Sequence, residues 1–206
     1  MVFIMKNILP HNQSAYNAVK ARLLYSNRTC VVHPTGTGKS IIAMSIIEDN
    51  PDSRILYITS YAANLLEFWN KVEEMKNRRM VLNLSKISPY IGTDVEVDLD
   101  EAGYTSDEDA TMEDLDERER LLKKATEVDE THLTGPVIQF SLYAGLDNLL
   151  PNFDIIILDE FHRAGARQWE KRVRGLLDDN PDAKVIGFSA TPVRRDGRDM
   201  RELFNN

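Results

Sequence analysis

The chain has 206 residues, 42% of them hydrophobic and 28% charged, which suits one soluble α/β domain and leaves no room for two. No apolar run reaches the roughly 20 residues of a membrane helix, no secretory signal opens the chain, and the lone Cys30 excludes an intrachain disulfide or a cysteine-cluster zinc site, so the cytoplasm is the expected compartment. The net charge of −8 is uneven: residues 94–130 hold 16 acids and 4 bases of the 33 and 25 in the whole, leaving a mildly basic remainder of 17 acids and 21 bases.

Short aliphatic runs alternate with amphipathic stretches of helical length. Residues 29–33 predict a strand, and 40–48 a helix with Ile41, Ile42, Met44, Ile46 and Ile47 apolar. Residues 54–59 predict a second strand. A helix over 62–76 follows, burying Leu65, Leu66, Trp69 and Val72. Residues 81–84 read as a short strand, 136–140 as another, and 143–150 as a short helix. The run Ile155-Ile156-Ile157-Leu158 within 154–158 is of the kind buried on both faces of a parallel sheet. Residues 168–177 are helical and 184–188 form the last strand. This alternation predicts an α/β fold with a mostly parallel central sheet and helices on both faces. Trp69, Trp169 and Cys30 are expected in the core.

Residues 92–134 break the pattern. They are rich in Asp, Glu, Thr and Ser through residue 114, a composition that buries little. Residues 112–128 then have helical charge spacing, with Leu115, Leu122 and Ala125 near one face. The whole reads as an acidic insertion between two core strands.

Three short motifs follow directly on expected strands. The first is His33-Pro34-Thr35-Gly36-Thr37-Gly38-Lys39-Ser40. Glycine-rich backbone leading into a helix N-terminus makes a cradle of N–H groups for phosphate oxygens. Lys39 there places a cation on the phosphates of a nucleotide, and Ser40 a hydroxyl on Mg²⁺. His33 stands where the general pattern has its first glycine. The second motif is Asp159-Glu160-Phe161-His162, at the carboxyl end of its strand, the edge where open parallel sheets bind ligands. An Asp at that place can hold Mg²⁺, and the adjacent Glu can deprotonate an attacking water. The third is Ser189-Ala190-Thr191-Pro192, whose plain alternative is a turn.

In this order, and each after a strand, T-G-T-G-K-S, D-E-F-H and S-A-T-P resemble the first RecA-like domain of superfamily 2 DEAD/DEAH-box helicases and translocases. The tail through Val193, Arg194, Arg195, Asp196 and Gly197 resembles the bacterial and phage motors of type III restriction enzymes. The likeness covers the chain except for the acidic segment. It implies a P-loop domain that binds ATP with Mg²⁺ through Thr35, Gly36, Thr37, Gly38, Lys39 and Ser40, with Ser40 and Asp159 on the metal and Glu160 as catalytic base. His162, Ser189 and Thr191 would couple nucleotide state to nucleic-acid binding. Gln13 matches the upstream glutamine that reads adenine, a plain helix-start residue being the alternative. Ser60, in Thr59-Ser60-Tyr61, and Ser141 stand where the family contacts nucleic acid. Arg163, Arg194, Arg195 and Arg198 would touch phosphate or a partner domain, exposed cations being the alternative.

The expected partners are nucleic acid, DNA favoured over RNA, and a second RecA-like domain that does not follow within these residues. A competing reading keeps a nucleotide-dependent interaction module without turnover. A nucleotide kinase or GTPase fits less well, since no lid and no N-K-x-D motif is found.

Overall fold

The computed structural model describes residues 8–73, 80–82, 135–146, 149–150 and 152–204. The acidic segment 92–134 lies outside them. Six strands are described: β1 (Arg28–Val32), β2 (Arg54–Thr59), β3 (Met80–Leu82), β4 (Val137–Leu142), β5 (Ile155–Asp159) and β6 (Lys184–Ser189). They form one sheet in the order β1-β6-β5-β2-β4-β3, and every neighbouring pair is parallel. The helices are α1 (Pro10–Arg22), α2 (Lys39–Asp49), α3 (Ala62–Glu73) and α4 (Arg167–Asp179).

The period of two along each strand divides the core into two layers. Ile55, Tyr57, Ile155 and Ile157 face one side. There they meet Tyr16 and Val19 of α1, Ile42, Ile46 and Ile47 of α2, and Leu65, Phe68 and Trp69 of α3. Leu56, Ile58, Ile156 and Leu158 face the other, against Trp169, Val173 and Leu177 of α4 and the tail residues Met200, Leu203 and Phe204. Gly187 leaves the space in which Phe204 and Phe161 meet edge to face, so the tail seats directly on β6. Both tryptophans are buried as expected.

Several expectations change. Residues 10–22 form a helix that the hydrophobic pattern did not predict. Its buried face is Asn12, Tyr16 and Val19, a helical spacing whose first member is polar. Of the helix expected over 143–150, the described residues form one 3₁₀ turn, Tyr143–Gly145, and residues 147–148 lie outside them. Cys30 is half-buried rather than a core residue, because β1 is an edge strand and its pattern is only partly covered.

Candidate nucleotide site

Strand order places the three motifs side by side. β1, β6 and β5 are consecutive in the sheet and parallel, so the segments after them leave from one edge. The backbone N–H of His33 donates to the carbonyl of Ser189 at 3.0 Å, joining the first motif to the third where β1 and β6 end.

In the first motif Gly36 and Gly38 have φ of +78° and +86°, a left-handed backbone that glycine adopts without strain. Gly38 is the N-cap of α2 and supplies no side-chain cap, which leaves the first N–H groups of the helix to an anion. Lys39 lies across the loop, its Nζ donating to the carbonyls of His33 at 3.2 Å and Pro34 at 3.4 Å. The Thr37 hydroxyl donates to the Pro34 carbonyl at 2.7 Å and closes the turn. Ser40, in the first turn of α2, is partly exposed. Outside the motif, the His11 ring meets the Thr37 carbonyl at 3.0 Å.

The second motif carries an unusual backbone. Glu160 has φ +50° and ψ +50°, a left-handed conformation that costs a non-glycine residue about 1–3 kcal/mol and recurs at functional sites. It turns Glu160 towards the P-loop, with Oε1 3.9 Å from Lys39 Nζ. Asp159 accepts from the Tyr57 hydroxyl on one oxygen at 2.8 Å and from the Glu160 N–H on the other at 3.1 Å. Burial pushes its carboxyl up to about 6, with the charge of Glu160 adding to it and the Tyr57 bond opposing it. Burial acts on Glu160 in the same direction. The hydrogen bond with His162 and the charge of Lys39 outweigh it and hold Glu160 below the usual range. At neutral pH, therefore, Glu160 is a carboxylate, as a general base must be.

A polar chain runs on from Glu160. Its Oε2 lies 3.3 Å from His162 Nδ1, which is 2.9 Å from Ser189 Oγ, and that oxygen accepts the N–H of Thr191 at 3.1 Å. Residues from all three motifs are thus in one connected set.

The remaining expected residues sit differently. Gln13 donates its amide to Asn17 at 3.0 Å, along its own helix. Ser60 is 2% exposed, and Ser141 is fully buried, its hydroxyl donating to the carbonyls of Leu142 and Gly145. Both serines are buried in this conformation. The strand end itself covers them. Arg163 donates to the Tyr61 hydroxyl and lies 5.1 Å over that ring. Arg194 reaches the His162 carbonyl at 3.1 Å and Asp196 at 3.2 Å. Arg195 is exposed. Arg198 binds Glu170 through both terminal nitrogens, at 2.7 and 2.9 Å, so it is a tie between α4 and the tail rather than an open cation.

Tyr57, Tyr143 and Asn12 were not expected at the site. The Tyr143 hydroxyl donates to the Asp159 carbonyl at 3.1 Å. Tyr57 reads as an ordinary strand aromatic and Tyr143 as the start of a short helix, and only the pairing of β2 with β5 and β4 brings them to Asp159.

The family model described as the type III restriction enzyme res subunit matches residues 5–194. The chain belongs to that family. A curated relative, "Putative helicase 22" of Sulfolobus islandicus filamentous virus, is 28% identical over 173 residues, 81% of this chain and 25% of the relative. Among solved structures, the ATP-dependent Type ISP restriction-modification enzyme LlaBIII bound to DNA is 17% identical with a TM-score of 0.57. The match covers 90% of this chain and 13% of that one. The Sulfolobus solfataricus SWI2/SNF2 ATPase core in complex with dsDNA is 11% identical with a TM-score of 0.58, covering 96% and 35%. The chain thus has a RecA-like fold and spans a quarter of the length of its viral relative.

Proposed function

We propose that the chain is the ATP-binding motor domain of a superfamily 2 DNA helicase or translocase. The observation that carries the reading is the convergence of Lys39, Asp159 and Glu160 on one sheet edge, with Glu160 3.9 Å from the lysine ammonium.

The residues fit a magnesium nucleotide. Gly36 and Gly38 hold a left-handed cradle at an uncapped helix N-terminus, and Asp159 offers a carboxylate beside it. Ser40 and Asp159 would hold the ion, which would neutralise the charge that develops on the phosphates. Thr35 to Ser40 orient the phosphates through backbone N–H groups. Lys39 exchanges its two carbonyl partners for phosphate oxygen. Glu160, ionised by its neighbours, takes the proton of the attacking water. His162, Ser189 and Thr191 form a path along which a change at Glu160 reaches the surface after β6.

DNA is the favoured track, since two of the structural relatives are described with DNA bound. Full turnover needs a second RecA-like domain, whose arginine finger is worth about 10³–10⁵ in rate. This chain alone binds ATP or ADP and hydrolyses ATP slowly. The test compares ATP turnover, with and without duplex DNA, of the full-length protein and its Glu160→Gln form. DNA-stimulated turnover lost in Glu160→Gln supports the reading, and turnover equal in both forms overturns it. A form that binds nucleotide and DNA but never turns over favours the interaction-module reading.

A further inference from the structure

The first turn of α1 packs on the P-loop. His11 contacts the Thr37 carbonyl at 3.0 Å, and Asn12 sits directly against Gly38, where a Cβ would come within 2.6 Å of its amide nitrogen. Asn12 is 0% exposed, yet neither its Oδ1 nor its Nδ2 has a hydrogen-bond partner among the described residues. A buried amide without partners costs free energy that an apolar side chain of the same shape does not. Its neighbour Gln13 spends its donor on Asn17 and does not share the contact. Gly38, the residue touching Asn12, is both left-handed and the N-cap of the helix whose N–H groups face the anion site.

We propose that Asn12 is a positioning residue for the nucleotide, a latch between α1 and the P-loop whose amide gains backbone partners at Thr37–Lys39 when phosphate fills the loop. The unpaired amide raises the free energy of the empty state, and pairing in the filled state returns it. Phosphate binding is therefore favoured at the expense of empty-state stability. Asn12 acts through the loop and touches no reacting atom. It is distinct from Gln13, the residue that the family resemblance sets against adenine. The inference rests on the loop being the phosphate site, as proposed above.

The test uses the 206-residue chain and its Asn12→Leu form, with thermal melting and titration by Mg²⁺-ADP and by inorganic pyrophosphate, which carries no base. Asn12→Leu should raise the melting temperature without ligand and weaken both ligands about ten-fold, the worth of a hydrogen bond or two. A purely structural role gives unchanged affinity at any melting temperature, which overturns the latch. Weakening of ADP with pyrophosphate unchanged overturns it too, since Asn12 would then read the base. Should Asn12→Leu not fold, Asn12→Ala is judged on affinity by the same criteria. If the unaltered chain binds neither ligand, the nucleotide-site reading itself has failed.

Discussion

The hydroxyl of Tyr57 donates to the Asp159 carboxylate at 2.8 Å across the junction of two adjacent strands. Tyr57 is itself fixed by stacking on Phe68, with ring centroids 4.0 Å apart. A strand aromatic thus sets the orientation of the carboxylate proposed to hold Mg²⁺. Tyr57→Phe removes one donor from a buried acid, a loss of about 1–3 kcal/mol of stability in chemical denaturation. It also raises the Asp159 carboxyl further, because the bond opposes the effect of burial. Mg²⁺-dependent nucleotide binding by Tyr57→Phe should therefore need a higher pH than binding by the unaltered chain.

The unaltered chain has its own pH dependence. Asp159 titrates at about 6 against an ordinary 3.8, chiefly because it is buried. The folded protein holds this proton more tightly than the unfolded chain, so the Asp159 contribution to stability declines as pH rises from about 4 to about 6. Binding of Mg²⁺ needs the carboxylate and changes the opposite way. Titrations with Mg²⁺-ADP from pH 5 to pH 8 should show affinity falling below pH 6, with Asp159→Asn weak throughout and lacking that inflection.

Gly38→Ala tests the loop. At φ +86° an alanine carries strain of about 1–2 kcal/mol, and its Cβ meets the Asn12 amide. Nucleotide affinity should fall at least ten-fold. Gly175→Ala, in α4 with open space at its Cβ, should leave affinity unchanged.

The tail is tied to α4 by Glu170, which accepts from Arg198 and Arg174, while Glu202 accepts from the same two arginines. The Arg198 hydrogen bond is the main reason the Glu170 carboxyl is held at about 2 rather than 4.5. A lowered acid stabilises the fold above its ordinary value and loses that effect as pH falls. Exposed pairs are worth up to about 1 kcal/mol, so Glu170→Gln should lower the melting temperature by about 2–4 °C at pH 7. The difference should shrink steadily between pH 4.5 and pH 2.

Much of this was legible in the residues, for identifiable reasons. Each motif follows an aliphatic strand, so a parallel sheet necessarily delivers Lys39, Asp159 and Ser189 to one edge. Helix α1 was hidden because its inward face opens on Asn12, which a hydrophobic period does not count. Tyr57 was hidden because its partner lies 102 residues away and only the β2–β5 pairing joins them. Ser141 has the residue type of a phosphate contact, but the strand end that carries it is buried. Position relative to a strand predicts an edge, and not whether a side chain there is covered.

The claim on which the rest depends is that the loop ending in Lys39 and Ser40 binds nucleotide phosphate. Calorimetric titration of Mg²⁺-ATP into the chain and into Lys39→Ala tests it most directly, with Lys71→Ala as a control, since Lys71 pairs with Glu67 along α3. One site should be seen in the unaltered chain and in Lys71→Ala, and affinity at least ten-fold weaker in Lys39→Ala. Equal binding by Lys39→Ala, or no binding by the unaltered chain, would contradict the account.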